Sequence, residues 1–578
     1  MTRKLVYAGF GCMGGMLAAA LCGRYTAAVT VILLAAGAVI SIVRRDAVRY
    51  VMTVCISAAV GALAYSAANV PPVMGETSFE GVVTEADTDG VPFYTVKHGR
   101  QLTGIYLYGE YSLIRGDRVS VKGELCEPEN PDFMRSKGIL SVMYSPEVTV
   151  KEKDRQPYKF IDDLRQSSIS EIRSLEMGDA GEYLIGMLFG SRYWEISSPA
   201  LSSLYGAGAG HTAAVSGLHL SIAAMIAAAV TGRSKKLRFF AAAAAGAVIV
   251  LCADMTVPVI RAYIMTLIVY GAGLVRRRGD ALNSLAAAVL LILLHSPLCV
   301  TGASFILSLS GTFGAAVLSP WAEKELTEIK ARKDGTEPLF THIHPVMRTA
   351  VFILCTQTAI LPASFVFFDG ISGISPVTNL AVIPLCTPAL FFSYLGVFAG
   401  GAAGKLFFIF AGVTAKVILA LCGLLSGLAF PLPAGAILPG MIFGAAAACL
   451  AGLAGGKKTA LPVMLSSAAL VMMAGTAVYL SGLHTPQTHM ADGYALIKTE
   501  TGSAAVDTGD NRYELKKAAA RYGLHPTAVF CTQGQSSKYA ADFPDAKVYI
   551  IEGEQLYTVD GIPLYINGSR IRVGSKNG

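Results

Sequence analysis

The sequence predicts a polytopic α-helical membrane protein of about thirteen spans, with an extracellular β-rich OB-like barrel and a small α/β module at the C-terminal end. Three observations predict it. Apolar residues make up 53% of the 578 and charged residues only 15%, against roughly 25% charged in a typical soluble domain. Mean hydropathy is +0.52. The apolar residues gather into runs of roughly 17–25, the length that crosses a bilayer, and two long polar stretches interrupt those runs. A single soluble globular domain, a disordered chain and a coiled coil are excluded.

Residues 1–72 hold three apolar runs, Leu5–Leu21, Thr26–Val43 and Tyr50–Val70. The opening Thr2-Arg3-Lys4, the run to Cys22 and the small residues Ala18-Ala19-Ala20 have the make-up of a signal peptide. A second apolar run follows so closely that an uncleaved first span is the preferred reading.

Residues 76–151 read as strands. Phe79–Thr84, Phe93–Val96, Gln101–Tyr108 and Arg118–Gly123 are short, β-rich and bounded by Gly and Asp. Asp89-Gly90 and His98-Gly99 suit hairpin turns. Short strands in this number suit an OB-like barrel. Tyr94, Lys97, Arg100, Tyr106 and Tyr108, with Tyr111, offer rings to stack on bases and cations to neutralise phosphates. The same tyrosines also read as ordinary strand residues, half of them core. Residues 155–200 turn helical: Phe160, Leu164, Ile172 and Leu175 recur among charges, giving an amphipathic connector or a helix lying on the membrane surface.

Residues 201–482 hold further spans, near Ser203, Phe239, Thr256, Ala281, Thr301, Met347, Ser375, Leu406, Ala434 and Leu461. With the N-terminus (Arg3, Lys4) inside, strict alternation puts every main basic cluster on the inner side: Arg44, Arg45 and Arg49; Arg233 to Arg238; Arg276-Arg277-Arg278; Lys324 to Lys333; Lys457-Lys458. Both polar modules, 76–151 and 486–578, then lie outside a plasma membrane.

Three segments bring polar groups into spans, where they are costly and usually face a partner or a wet path. In Gly208–Leu220, His211 and His219 stand eight residues apart, about 12 Å along a helix and about 80° around it. Ser216 and His219 share a face. A polar pathway, a hydrogen-bonded clasp between helices and a Ser–His nucleophile pair are all compatible with them, though no acid is apparent to orient the histidine. Asp254 sits near a span end and Arg261 inside the next span, either meeting a passing phosphate or pairing with Asp254. Pro258 suggests a kink. Pro376 and Pro384 flank Asn379, which points to a broken helix beside a cavity or to a proline-kinked structural one.

Motifs for energy coupling are missing. Gly456-Lys457-Lys458 lacks the upstream Gly and the Ser/Thr of a P-loop, and there is no GxSxG or HExxH. The 11 cysteines fall mostly inside apolar runs and form no CxxC pair, so they read as packing residues rather than a disulfide framework or a zinc site.

In order and spacing, several blocks resemble the ComEC competence-channel family, which imports single-stranded DNA during natural transformation. They are Ala180–Gly190, the His211 to His219 block, Arg261-Ala262, the Arg276–Asn283 loop with Asp280, Phe305–Ser310 and Ile371–Pro384. They span about Ala180–Leu453, and Asn130-Pro131-Asp132-Phe133 is similar to the family's segment after its extracellular module. The resemblance implies that His211, Ser216, His219, Asp254, Arg261, Asp280 and Asn379 line or support a DNA passage. It also implies an ATP-driven helicase-like partner inside and a DNA receptor outside. Larger members carry a metallo-β-lactamase-like domain at the C-terminal end. Here Asp492–Ile497 and Ala504–Gly509 look like its opening hairpin, but the place of its HxDxDH block reads Gln533-Gly534-Gln535-Ser536-Ser537-Lys538, and the chain stops about 90 residues into the module. A dinuclear site needs several such ligands, so no metal, no cofactor and no nuclease activity are expected, and His484, His489 and His525 read as surface residues. The rival reading is a transporter or flippase of another substrate using the same polar path.

Overall fold

The computed structural model describes residues 4–22, 48–70, 74–87, 92–99, 101–107, 113–128, 131–153, 158–232, 234–276, 279–334, 344–368, 370–428 and 431–433, and the strands between 488 and 573 with short flanking stretches. The runs near Thr26, Ala434 and Leu461 lie outside the described residues. So do Arg100, Tyr108, Tyr111 and most of 533–538. The chain divides into two units: residues 1–320 with 377–426, and 321–376 with 427–578.

In the first unit, α1 (Lys4–Cys22) and α2 (Val48–Ala68) pack backbone to backbone through glycines. A Cβ on Gly15 would fall 1.9 Å from the Ala58 carbonyl oxygen, and one on Gly61 2.2 Å from that of Cys12. Small residues allow this close approach, which maximises van der Waals contact where lipid supplies no hydrophobic drive.

The strand-rich module comprises β1 (Gly75–Asp87), β2 (Phe93–His98), β3 (Gln101–Tyr106), β4 (Asp117–Leu125), the short helix α3 (Pro131–Ser136), β5 (Ile139–Tyr144) and β6 (Glu147–Lys153). The sheet runs β5-β3-β2-β1-β4-β6. Its pairs are antiparallel except β3–β5. The long β1 serves both neighbours, and its register shifts between Val83 and Glu85. Just past β4, Cys126 bridges Val142 of β5. The rim therefore curls back toward itself, but the sheet is not the closed barrel that the strand count predicts. β2 is buried on both sides over Phe93–Val96, so simple alternation does not hold there.

The connector is α4 (Tyr158–Arg173), the deeply buried α5 (Asp179–Phe189), a 3-10 turn at Ser191–Tyr193 and α6 (Ser198–Gly206). After another 3-10 turn at Gly210–Ala213 come α7 (Gly217–Thr231), α8 (Lys235–Cys252), α9 (Val257–Leu274) and α10 (Ala281–His295). A 3-10 turn at Pro297–Thr301 leads into α11 (Ala303–Phe313), which continues through a π-turn at Gly314–Leu318 into α12 (Ser319–Asp334). After α13 (Pro345–Phe367) and β7 (Gly370–Ser372), the helices α14 (Ser375–Ala399) and α15 (Gly401–Ser426) complete the first unit's core. That core gathers Tyr183, Leu184, Leu188, Leu204, Val382, Ala389, Phe408 and Ile418.

Helix α4 braces this unit. The Glu171 carboxylate accepts the Gly401 backbone N–H at 2.9 Å, in a turn where Gly400 and Gly401 have φ of 58° and 55°, a conformation glycine adopts without Cβ strain. Arg165 reaches the turn between α8 and α9. The α8–α9 and α14–α15 turns thus lie at the same end of the unit.

Five helical stretches are long and apolar enough to cross a membrane: Val257–Leu274, Ala303–Glu328, Pro345–Ser364, Ser375–Ala399 and Gly401–Ser426. Four shorter apolar helices accompany them, Leu5–Leu21, Met52–Ala68, Gly217–Thr231 and Ala281–His295. The chain has the helices of a membrane protein.

In the second unit, β7 pairs with β8 (Pro431–Pro433). A five-stranded sheet runs β13 (Lys547–Ile550), β12 (Ala528–Cys531), β11 (Ser503–Asp507), β10 (Tyr494–Lys498), β9 (Thr488–Ala491). The hairpin expected there is β10–β11, with Tyr494 opposite Asp507; β11–β12–β13 are parallel. A meander of β14 (Gln555–Val559), β15 (Ile562–Asn567) and β16 (Arg570–Val573) follows.

Candidate functional site in the membrane core

The turn before α9 is a tight left-handed pair, Asp254 (φ 52°) and Met255 (φ 57°). Pro258 stands in the first turn of α9, where its missing N–H costs nothing and its fixed φ suits helix initiation. It starts the helix rather than kinking it. One turn on, Arg261 is buried. Its Nε donates to Ser308 Oγ of α11 at 2.9 Å, and its Nη1 lies 3.4 Å from Met265 Sδ. Among the described residues, Arg261 has no carboxylate within ion-pair distance.

Asp254 does not meet Arg261; its partners come from the connector and the β-sheet module. Arg165 Nη2 donates to its Oδ1 at 3.3 Å and to the Cys252 carbonyl at 3.2 Å. The Tyr193 hydroxyl donates to Oδ2 at 2.9 Å. Arg192 is 3.4 Å from Oδ2, Arg115 4.0 Å from Oδ1. Arg192 also holds Glu85 of β1 at 2.7 Å, and Arg165 pairs with Asp162 at 3.3 Å while lying 4.5 Å over the Tyr193 ring. Burial, then Asp254, push the Tyr193 phenol up. Burial opposes the Arg192 charge, yet Asp254 and Glu85 outweigh it and raise its pKa above the ordinary value. Burial likewise opposes the Glu85 charge, but Lys137, Arg192 and Arg115 hold the carboxyl below its ordinary range.

The Gly208–Leu220 block separates its two histidines. His211 lies exposed on the 3-10 turn. His219 is 1% exposed. The Ser216 backbone N–H donates to its Nδ1 at 3.0 Å, which makes Nε2 the protonated nitrogen, and Nε2–H donates to the Met187 carbonyl at 2.8 Å. Ser216 and His219 form the capping box of α7, the histidine standing where Glu or Gln is usual. Ser216 Oγ is 3.3 Å from the same Nδ1. With both ring nitrogens engaged by backbone, the imidazole is not free to act as a base toward Ser216. Beside it, Tyr183 and Thr212 share a hydroxyl contact of 2.7 Å.

Asp280 is the N-cap of α10, its Oδ1 accepting from the Leu282 and Asn283 N–H groups at 3.0 and 3.1 Å. Asn379 is buried on α14. The expected break is absent there: Pro376 stands at the helix start, and the helix runs through Pro384 and Pro388 to Ala399. In the sheet module, Tyr94 is fully buried in the core, which withdraws it from the surface a base would stack on. Lys97 is exposed. Tyr106 stacks on Tyr144 of β5 at 5.1 Å and 7°. Among the described residues no group of three or more His, Cys, Asp and Glu side chains is placed to hold a metal ion.

Sequence reasoning did not single out Arg165, Arg192, Tyr193, Glu85 or Ser308. A signal for Arg165 existed: Ile161, Arg165, Ser168, Ile169 and Ile172 are the buried face of α4, a cation standing at an apolar-face position of an amphipathic helix.

Residues 187–455 match the family model described as Competence protein. Over this stretch the chain is similar to the Competence family. The stretch takes in Met187, His219, Asp254, Arg261, Asp280, Ser308 and Asn379, whereas Arg165 and the sheet module precede it. No curated protein and no solved structure matches the chain.

Proposed function

We propose that the chain is a plasma-membrane channel that imports single-stranded DNA during natural transformation. Arg261 carries the reading. A guanidinium buried in a span-length helix, held by one hydroxyl and without a carboxylate among the described residues, is costly in a bilayer unless an anion or wet path meets it. DNA phosphates passing the Competence-like stretch would supply that charge, and phosphate attraction is largely electrostatic.

The sheet module would receive DNA outside the cell as an OB-like fold. The strand order and the Cys126–Val142 bridge support this, as do exposed Lys97 and the Tyr106–Tyr144 stack at one edge. The N-terminus lies inside in this reading. The protein is a conduit rather than an enzyme, and a cytoplasmic ATP-driven helicase-like partner and an external DNA receptor complete the machine.

The test is uptake of labelled double-stranded DNA by the host, scored as label protected from external nuclease. The deletion strain should bind DNA at the surface but admit none. Complementation with Arg261→Met, at normal protein level, should leave entry near the deletion background, with Arg261→Lys partly restoring it. Equal entry with and without the gene in a competent host would overturn the channel reading.

A further inference from the structure

From the brace and the helix lengths we infer that α13, although long and apolar enough to span, does not cross the bilayer: it returns to the face it started from and beds into lipid there. The inference does not depend on what the protein transports.

The parity of the crossings fixes the ends of α13. Arg165 and Glu171 are six residues apart on α4, about 9 Å, and they hold the α8–α9 and α14–α15 turns. Those turns therefore share a face, since a hydrocarbon core is about 30 Å thick. The start of α11 lies at that face too: a Cβ on Gly302 would fall 3.2 Å from the Ser136 side chain of the sheet module. The apolar run Ala303–Glu328 has 26 residues, about 39 Å, and carries the chain to the far face. Helix α14, 25 residues long, runs antiparallel to α15, with Gly396 against Phe408 and Gly404, and ends at the brace. It must therefore begin at the far face. The chain is at the far face both before and after α13, so α13 makes no net crossing. Strict alternation of spans puts the turns at 254 and 400 on opposite faces; one non-crossing helix between them removes the conflict.

The packing of α13 on α12 leads to the same place without the brace. Arg348 pairs with Glu323 at 3.2 Å, and Val351 and Cys355 pack on Trp321, Ala322 and Leu326 of α12. That part of α12 carries Glu323, Lys324, Glu325 and Glu328, a charge density that keeps it out of hydrocarbon. The first half of α13 lies beside it. What remains, residues 356–367, is about 18 Å of helix, too short for the core. Val346, Met347, Phe352, Leu354, Val366 and Phe368 are exposed. Lipid at the boundary of one leaflet is the partner that covers such a helix, with Arg348 at the headgroup level.

The experiment places single cysteines at Met255, Glu328, Gly373 and Ala402 in the full chain freed of native cysteines. Whole cells are labelled with a membrane-impermeant maleimide before and after permeabilisation. Met255→Cys and Ala402→Cys should react together on one side, and Glu328→Cys and Gly373→Cys together on the other. If the molecule were inverted, the two pairs would exchange sides as pairs and the inference would stand. Reaction of Gly373→Cys on the side of Met255→Cys would overturn it, and so would separation of Ala402→Cys from Met255→Cys. If the cysteine-free chain is poorly made, a protease site inserted after Gly373 in the native-cysteine chain replaces it. Cutting in spheroplasts or in inverted vesicles then reads the side of that loop directly.

Discussion

Arg165 of α4 donates to Asp254 across 3.3 Å, and through that contact the connector fixes the turn from which α9 carries Arg261 into the membrane. The pair is 7% and 15% exposed at its side chains. Arg192, Arg115 and Tyr193 converge on the same carboxylate. One acid is shared by three guanidiniums, so the two sides of the pair are not equivalent.

Asp254→Asn should therefore cost more than Arg165→Met. Removing the carboxylate leaves several half-buried cations facing one another, a loss of about 3–5 kcal/mol for a broken buried pair. Removing Arg165 leaves Asp254 with Arg192 and Tyr193. Denaturant midpoints of the detergent-purified full chain check this, with the double variant closing the cycle. The expected coupling is large, because the residues share one network. Equal small losses for both variants would mean that the cluster is solvated and carries little.

His219→Ala should destabilise the membrane core rather than abolish a chemical step. It would leave the Met187 carbonyl and the Ser216 N–H without their partners inside a buried cluster, at about 1–3 kcal/mol for each unsatisfied group. His219→Gln should recover part of the loss, because glutamine also serves at this capping-box position. DNA entry in these variants should follow protein abundance, measured by blot against nuclease-protected label. Ser216 should stay unlabelled by a serine-reactive fluorophosphonate; labelling lost in His219→Ala would restore the hydrolase reading.

How much of this was legible in the sequence depends on the range of the interactions. Run length and hydropathy are local, and they located the helices now seen as α1, α2, α9, α14 and α15. The β10–β11 hairpin was anticipated through the family resemblance; the capping role of Asp280 was not. Partnership was not legible either. Asp254 and Arg261 are seven apart, and their pairing was one of two open readings; instead Asp254 binds Arg165, 89 residues upstream, and Arg261 binds Ser308, 47 residues downstream. Such pairs close only after the helices pack. Tyr94 was open to two readings, a stacking ring or a core residue, and it is core because β2 is covered on both faces. The prolines misled because Pro258 and Pro376 fall in first turns, where proline favours a helix, and because α14 tolerates Pro384 within its length.

The sheet module should loosen in mild acid through His98. Its ring stacks on Phe79 at 4.0 Å, its Nε2 contacts Thr103 Oγ1 at 2.9 Å, and burial lowers its pKa below the ordinary 6.5. The folded state therefore binds the proton more weakly than the unfolded state. The contribution is fully present above about pH 6.5 and is lost as pH falls through the folded value, since the unfolded chain takes up the proton first. Glu85 acts in a separate, lower window: its depressed pKa gives stability present above its ordinary 4.5 and lost below that. Hydrogen exchange of β2 and β3 in the full-length protein, corrected for the intrinsic pH dependence of exchange, reads the first window. Protection should fall as pH drops below about 6.5 in the wild type, and His98→Gln, which does not titrate, should flatten that slope while leaving the acid loss below about pH 4.5 in place. The same slope in both proteins would assign the acid sensitivity to another group.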